Sequence, residues 1–342
     1  MVPAPFRAGG CETPRHRTAW IEAGPLDGPL MIFVHGWPEI GIIWEHQLRY
    51  FAEAGWRCIA PDMRGYGRSS VPTRIRDYAV REITADLTEL HDSLGGAPAL
   101  WVAHDWGCAP VWSIGAHYPD RCRGIVAICV PYFAHGNTLD NVSATVNRDL
   151  YPPDRYPVGQ WDYWLYHREH AGAATASLEA DVRATIASLY RRTSSDVVGK
   201  PSKFSDLRAR GGFFGADRRA PTMPRDETIL SENTFEAFVA AFERSGFHGA
   251  NAWYLNDADN LAFAIEAPNF GRIDIASLFI HARWDTVCDT IHSALADPMR
   301  EDCTTLAEVT IDAGHMVMLE QPAALNGVID RWLNENRPSG AS

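Results

Sequence analysis

A chain of 342 residues is long for one compact domain and natural for one large domain that carries an insertion. Its composition, 46% hydrophobic and 22% charged, suits a globular protein with a sizeable core, and a net charge of -12 argues against a nucleic-acid partner, because gripping phosphates needs clustered Lys and Arg. The longest apolar runs, LMIFV and GIVAICV, are strand-length, so the expectation is a soluble protein with no membrane partner. The start, MVPAPFRAGG, lacks the apolar stretch of a signal peptide, and seven cysteines without a CxxC read as reduced thiols in a cytoplasmic protein. Twelve tryptophans point to an aromatic-rich interior that would suit an apolar ligand.

In chain order, His16 to Ala23 is expected to supply an early antiparallel hairpin. From Leu30 onward, apolar runs alternate with amphipathic stretches, the pattern of βα units on a mostly parallel sheet. The predicted strands are LMIFV (Leu30 to Val34), RCIAP (Arg57 to Pro61), ALWVAH (Ala99 to His104) and GIVAICV (Gly124 to Val130). Helices are predicted over Ile42 to Ala54, Tyr78 to Leu94 and Trp106 to His117. From Tyr132 to Asn260 the sequence turns rich in Tyr, Trp, Arg and Ala, with no buried strand, which predicts a helical insertion lying over the sheet as a lid. The alternation then resumes with SLFIHA (Ser277 to Ala282) and AEVTID (Ala307 to Asp312), followed by a helix after Gln321 and a frayed tail, RPSGAS. The expected organisation is a core of residues 1–131 and 261–342 with a helical cap of 132–260 inserted in it.

The segment WVAHDWGCA stands where an apolar strand meets a helix. Its centre, Ala103 to Cys108, has the form small-x-nucleophile-x-small-small that a nucleophile elbow requires, since the turn is too sharp for bulky neighbours. The occupant is Asp105, and no GxSxG occurs in the chain, so a serine esterase has no candidate nucleophile. A carboxylate displaces at an activated sp³ carbon and leaves an ester, which points to epoxides or alkyl halides as substrates. The alternative is that Asp105 only caps the helix that begins at Trp106.

Two further loops supply partners. AEVTIDAGHMVMLEQP puts His315 just after a strand, where a general base belongs, and Asp285 in SLFIHARWDTVCD follows an earlier strand as its orienting acid, with Asp289 in reserve. After LMIFV, the turn HGWPE can aim the Trp37 N–H at a developing oxyanion, with the Trp106 N–H as second donor. APDMRGYGRSS is Gly- and Arg-rich without matching a phosphate loop and reads as a bracing element. Neither HExxH nor GxGxxG follows a strand, so no metal or organic cofactor is expected.

HGWPE, APDMRGYGRSS, HDWG and DAGHMVMLEQP, in this order and over nearly the whole chain, resemble the epoxide hydrolases of the α/β-hydrolase superfamily. The resemblance implies the α/β-hydrolase fold, conversion of an epoxide to a vicinal diol through an aspartyl ester, and two lid tyrosines that hold the epoxide oxygen. WDYWLYHREHAG is similar to one tyrosine context and suggests Tyr163; GFHGANAWYLND is similar to the other and suggests Tyr254. Trp106, Trp164 and His35 complete the residues expected to meet substrate, and the working unit is expected to be a monomer or homodimer. Two positions depart from the pattern: Cys108 stands where relatives often carry a second Gly, and Trp164 where some carry a polar side chain. Haloalkane dehalogenases share the Asp nucleophile but commonly carry HGNP, where this chain has Trp37. Fluoroacetate dehalogenases place Arg where it has Trp106 and Ala109. A non-catalytic ligand-binding protein of the same fold would have lost a catalytic group, and all five are present.

Overall fold

A computed structural model describes residues 5–336, so the expected RPSGAS tail lies outside the described residues. Eight strands form one sheet: β1 (Arg7–Glu12), β2 (Arg17–Ala23), β3 (Leu30–Val34), β4 (Arg57–Asp62), β5 (Ala99–His104), β6 (Cys122–Ile128), β7 (Ser277–Ala282) and β8 (Leu306–Ile311). Their order is β1-β2-β4-β3-β5-β6-β7-β8, with β1 and β2 antiparallel to their neighbours and all other pairs parallel. Every residue of β3, β5 and β7 is buried. Strands sandwiched between helical layers read as continuous apolar runs rather than as alternation, which is why these three are so visible in the sequence.

The register puts the carboxyl ends of β3, β5, β7 and β8 along one edge, with Val34 beside Ala103 and Ala282 beside Ile311. Open α/β sheets build their sites at that edge. The loops leaving these four strands carry Trp37, Asp105, Asp285 and His315.

The predicted elements differ from the observed ones in definite ways. The early segment supplies one strand of the hairpin, β2; its partner β1 lies earlier, where the Gly-rich, largely exposed RAGGCE shows no apolar periodicity. Strand β6 ends at Ile128 because Cys129 turns into the left-handed region at φ 69°. Each of the first three helices is entered through a short 3-10 turn, so the α-helices proper run Glu45–Glu53, Val80–Ser93 and Cys108–His117. A short helix, Asp297–Asp302, was not foreseen, and Pro322–Glu335 forms the final one.

Between Tyr132 and Asn260 the described residues hold helices and loops and no strand, the longest helices being Asp162–Glu179 and Glu232–Ser245. Local capping starts several of them: the side chains of Thr138, Asp181 and Ser231 each accept a backbone N–H of the first turn. This helical stretch is fastened to the sheet by buried hydrogen bonds. Trp253 Nε1 donates to the Arg64 carbonyl (3.1 Å), Tyr190 Oη to the Pro38 carbonyl (2.6 Å) and Trp37 Nε1 to Asn251 Oδ1 (3.1 Å). Among the described residues, no helix is long and apolar enough to cross a membrane.

The backbones of stretch and sheet loops come close where Gly249 packs against Gly65. A Cβ at Gly249 would lie 2.7 Å from the Gly65 Cα and 2.8 Å from Tyr78 Oη. Gly249→Ala is therefore expected to lower stability by about 1–3 kcal/mol, the usual cost of overpacking. Urea titration checks this, and an unchanged midpoint would show that the two backbones can part freely.

Candidate active site

Strand β5 ends at His104 and the chain reverses at Asp105, whose φ of 49° lies in the left-handed region that L side chains other than Asn and Asp seldom enter. The turn needs small neighbours for a visible reason. A Cβ on Gly107 would meet the His35 and Val34 carbonyl oxygens at 2.5 and 2.6 Å, and one on Gly36 would collide with the Asp105 carboxylate itself. Cys108 fits because its thiol is buried and reaches the Ile128 carbonyl.

Asp105, His315 and Asp285 come together. His315 Nδ1 lies 2.7 Å from Asp285 Oδ2, and its Nε2 faces Asp105 Oδ2 at 3.5 Å. Asp285 is fixed in turn by the Val287 and Cys288 amides, which donate to its Oδ1 at 2.8 and 3.0 Å. Asp289 stays in its own turn, accepting from Ile291 and His292, and does not reach the imidazole. Burial alone would raise Asp105, but the hydrogen bond and charge of His315, the charge of His104 and the Trp106 amide hold it below the usual carboxylate range. For His315, burial pulls down while the charge of Asp285 and the hydrogen bonds to Asp105 and Asp285 pull harder, so the imidazole sits well above its ordinary range. The resting site is thus an imidazolium between two carboxylates.

The Trp37 N–H donates to Asp105 Oδ1 at 2.7 Å. Behind this turn lies a pair the sequence reading passed over. Glu39 accepts the Gly36 N–H through Oε2 (2.8 Å) and meets His104 Nδ1 through Oε1 (2.7 Å), while His104 Nε2 donates to the His315 carbonyl (2.8 Å). Both side chains are wholly buried, and although burial opposes it, the Glu39 charge pushes His104 up to about 10. Glu39 was in plain view within HGWPE; an acid in an otherwise apolar βα turn was the signal.

Tyr163 and Tyr254 come from the helical stretch and line a cavity of about 430 Å³ together with Trp37, Asp105, Phe213 and His315. Their rings meet edge to face at 5.6 Å. Burial first, then Cys288 and Asp105 for Tyr163 and Tyr163 and Asp105 for Tyr254, raise both phenols well above their usual range, so each stays a neutral O–H donor. His167, also unforeseen, stacks flat on Tyr254 at 4.6 Å, and burial pushes it down to about 3, leaving an uncharged plate. Trp106 and Trp164 face a second cavity, of about 10 Å³, beside Asp105 and Tyr163. His35, expected to meet substrate, lies outside both cavities. It is fully buried, accepts the Met63 N–H at Nε2 (2.9 Å) and so has Nδ1–H free for the Gly36 carbonyl (2.9 Å), which makes it a brace for the turn.

Two donor groups could in principle hold a metal, His104–Cys129–His315 and Asp285–Cys288–His315. Both compete with the contacts just described for His315, and burial raises the Cys288 thiol well above its usual range, against the thiolate a metal prefers. The arrangement as a whole suits nucleophilic attack by a carboxylate, with buried neutral donors for a departing oxygen and a base for water.

Comparison with known proteins agrees with this chemistry. The profile of the α/β hydrolase fold family matches residues 29–322. Epoxide hydrolase A of Mycobacterium tuberculosis is 30% identical over 324 residues, covering 92% of each chain. Bifunctional epoxide hydrolase 2 of Sus scrofa is 28% identical over 94% of this chain but only 54% of its own length, so this chain spans about half of that relative. The solved structure of an epoxide hydrolase from an endophytic Streptomyces superposes with a TM-score of 0.80 at 28% identity, over 97% of this chain and 96% of that one. The chain belongs to the α/β-hydrolase fold family and, within it, to the epoxide hydrolases.

Proposed function

We propose that this enzyme opens its epoxide through a covalent ester on Asp105. The observation that carries the reading is the convergence, on one cavity, of a low-pKa carboxylate, an imidazole backed by a second carboxylate, and two buried neutral phenols. Asp105 Oδ1 is occupied by the Trp37 N–H, which leaves Oδ2 to attack the epoxide carbon. The carbon–oxygen bond breaks, and the oxygen takes a proton from Tyr163 or Tyr254, so no free alkoxide has to form.

The ester then prepares its own hydrolysis. Forming it removes the Asp105 carboxylate, one of the two that hold His315 protonated, and a proton passing back to the tyrosinate leaves a neutral imidazole. His315, oriented by Asp285, takes a proton from water as the water attacks the ester carbonyl. Oδ1, already against the Trp37 N–H, becomes the oxyanion, with the Trp106 N–H as second donor. Collapse releases the vicinal diol and restores the carboxylate.

Residues 132–260 serve in this scheme as a cap on a core of 1–131 and 261–342, because the stretch brings both phenols to the nucleophile. The seven free cysteines fit a reducing, cytoplasmic setting, in which the chain works as a monomer or homodimer. The dehalogenase reading is weaker, since halide departure gives the two neutral phenols nothing to protonate. Incubation with styrene, aliphatic and cyclic epoxides, read for diol, and with a haloalkane, read for halide, separates the two; halide without diol would reverse the assignment.

Two variants test the roles. Because Asp105 attacks without losing a proton, His315→Gln should open epoxide once and accumulate a protein heavier by one substrate, visible by intact mass spectrometry. A folded variant with neither adduct nor turnover would count against a base that acts only in the second step. Tyr254→Phe should slow alkylation by ~10²-fold, the usual contribution of a general acid. An unchanged single-turnover rate would remove Tyr254 from the mechanism.

A further inference from the structure

The large cavity is polarised along its length. At the inner end stand buried acids, Asp105 and Asp285, and at the outer end it is lined by exposed Arg191, Lys200 and Lys203. Lys200 and Lys203 are the only two lysines in the chain, and both stand on this one wall. Among the described residues neither ammonium is ion-paired, whereas the neighbouring Arg208 and Arg210 are held by Asp162 and Asp206. Lys203 is exposed to the cleft yet crowded by surrounding atoms: its ammonium lies over the Phe204 ring at 5.0 Å, and burial followed by the Arg210 charge holds it below the usual lysine range. Arg192 is committed elsewhere, to Thr228 and the Glu320 carbonyl, and Arg191 gives an N–H to the Pro224 carbonyl with Asp226 nearby. Among the described residues the two lysines, unlike Arg191 and Arg192, make neither an ion pair nor a side-chain hydrogen bond.

Between the two ends the wall is aromatic, formed by Phe204, Phe213 and Tyr254. Asp105 and Tyr163 also border the second cavity, about 10 Å³, which gives room for about one water-sized group. A substrate that fits this outline has a short arm and a long apolar arm. Fixed negative charge at the inner end repels an anion and the free ammoniums at the outer end attract one, so charge sets which way round the long arm enters. Glu320 also lines the cavity, which favours a single negative charge over a doubly charged phosphate.

We propose that the substrate is a terminal epoxide whose long apolar arm ends in a carboxylate held by Lys200 and Lys203. This rests on the reading of Asp105 as the site of epoxide opening. Exposed ion pairs are individually weak, so two of them predict a preference of about 10-fold.

The probes are a medium-chain terminal epoxy-alkanoic acid and its primary amide, with diol formation measured for each. The acid should exceed the amide in kcat/KM by about 10-fold at low ionic strength, chiefly through KM. That ratio should fall toward one at high salt, where exposed charges are screened, and in the Lys200→Gln/Lys203→Gln double variant. The Lys200→Arg/Lys203→Arg variant should keep it. A wild-type ratio near one, or a ratio that survives the double Gln substitution, would overturn the proposal while leaving epoxide opening intact. Equal rates for an internal epoxy acid with a propyl second arm would overturn its short-arm half. Diol from neither probe, nor from styrene oxide, would overturn the epoxide reading as well.

Discussion

A buried ion pair, Glu39 with His104, holds together the three loops on which the proposed chemistry depends. Glu39 grips the turn that presents the Trp37 N–H, His104 directly precedes Asp105, and the other nitrogen of His104 holds the carbonyl of His315. Charges taken out of water are costly unless every hydrogen-bonding position is used. Here both ring N–H groups and both carboxylate oxygens of the pair have partners, so displacing any one of the loops would strand a charge in the core. The imidazolium serves a second purpose. Its charge lies next to Asp105 and helps keep that carboxylate ionised inside a site where burial works the other way.

Around that pair, the site separates two kinds of donor. Backbone amides, fixed by the turns after β3 and β5, face the Asp105 carboxylate, where the proposed ester hydrolysis would place charge. Phenols, delivered from the helical stretch, face the space in which an epoxide oxygen would depart. Amides cannot release a proton, and phenols this deeply buried resist losing one except to a strong base such as an opening epoxide. In the proposed mechanism the two regions supply complementary halves of one reaction, so that their mutual fastening through Trp37–Asn251, Tyr190–Pro38 and Gly65–Gly249 would serve catalysis as well as stability.

Much of this was legible in the residues, for identifiable reasons. The parallel strands were readable because burial on both faces leaves uninterrupted apolar runs, as in LMIFV and ALWVAH. Asp105 and Asp285 stand in loops after such strands, and His315 follows the half-buried β8, which made all three visible as candidates. The exposed strand β1 carried no such pattern and went unseen. His35 was misplaced because position in a motif does not reveal which way a side chain turns, and it points into the core. Glu39, His104 and His167 take their roles from contacts with residues far off in the chain, of which neither spacing nor periodicity gives notice. The two lysines were equally visible as residues, but only the folded cavity sets them opposite the acids.

The central claim is that Asp105 forms a bond with the substrate. In the ester mechanism the oxygen gained by the substrate comes from the Asp105 carboxylate, and water then replaces it; an activated water attacking directly would put solvent oxygen into the product at once. A single turnover in heavy-oxygen water, with enzyme in excess over epoxide, distinguishes the two. The account predicts an unlabelled diol and a heavy-oxygen label in the peptide that contains Asp105. A labelled diol with an unlabelled Asp105 peptide would contradict it and return Asp105 to the role of a general base or a helix cap.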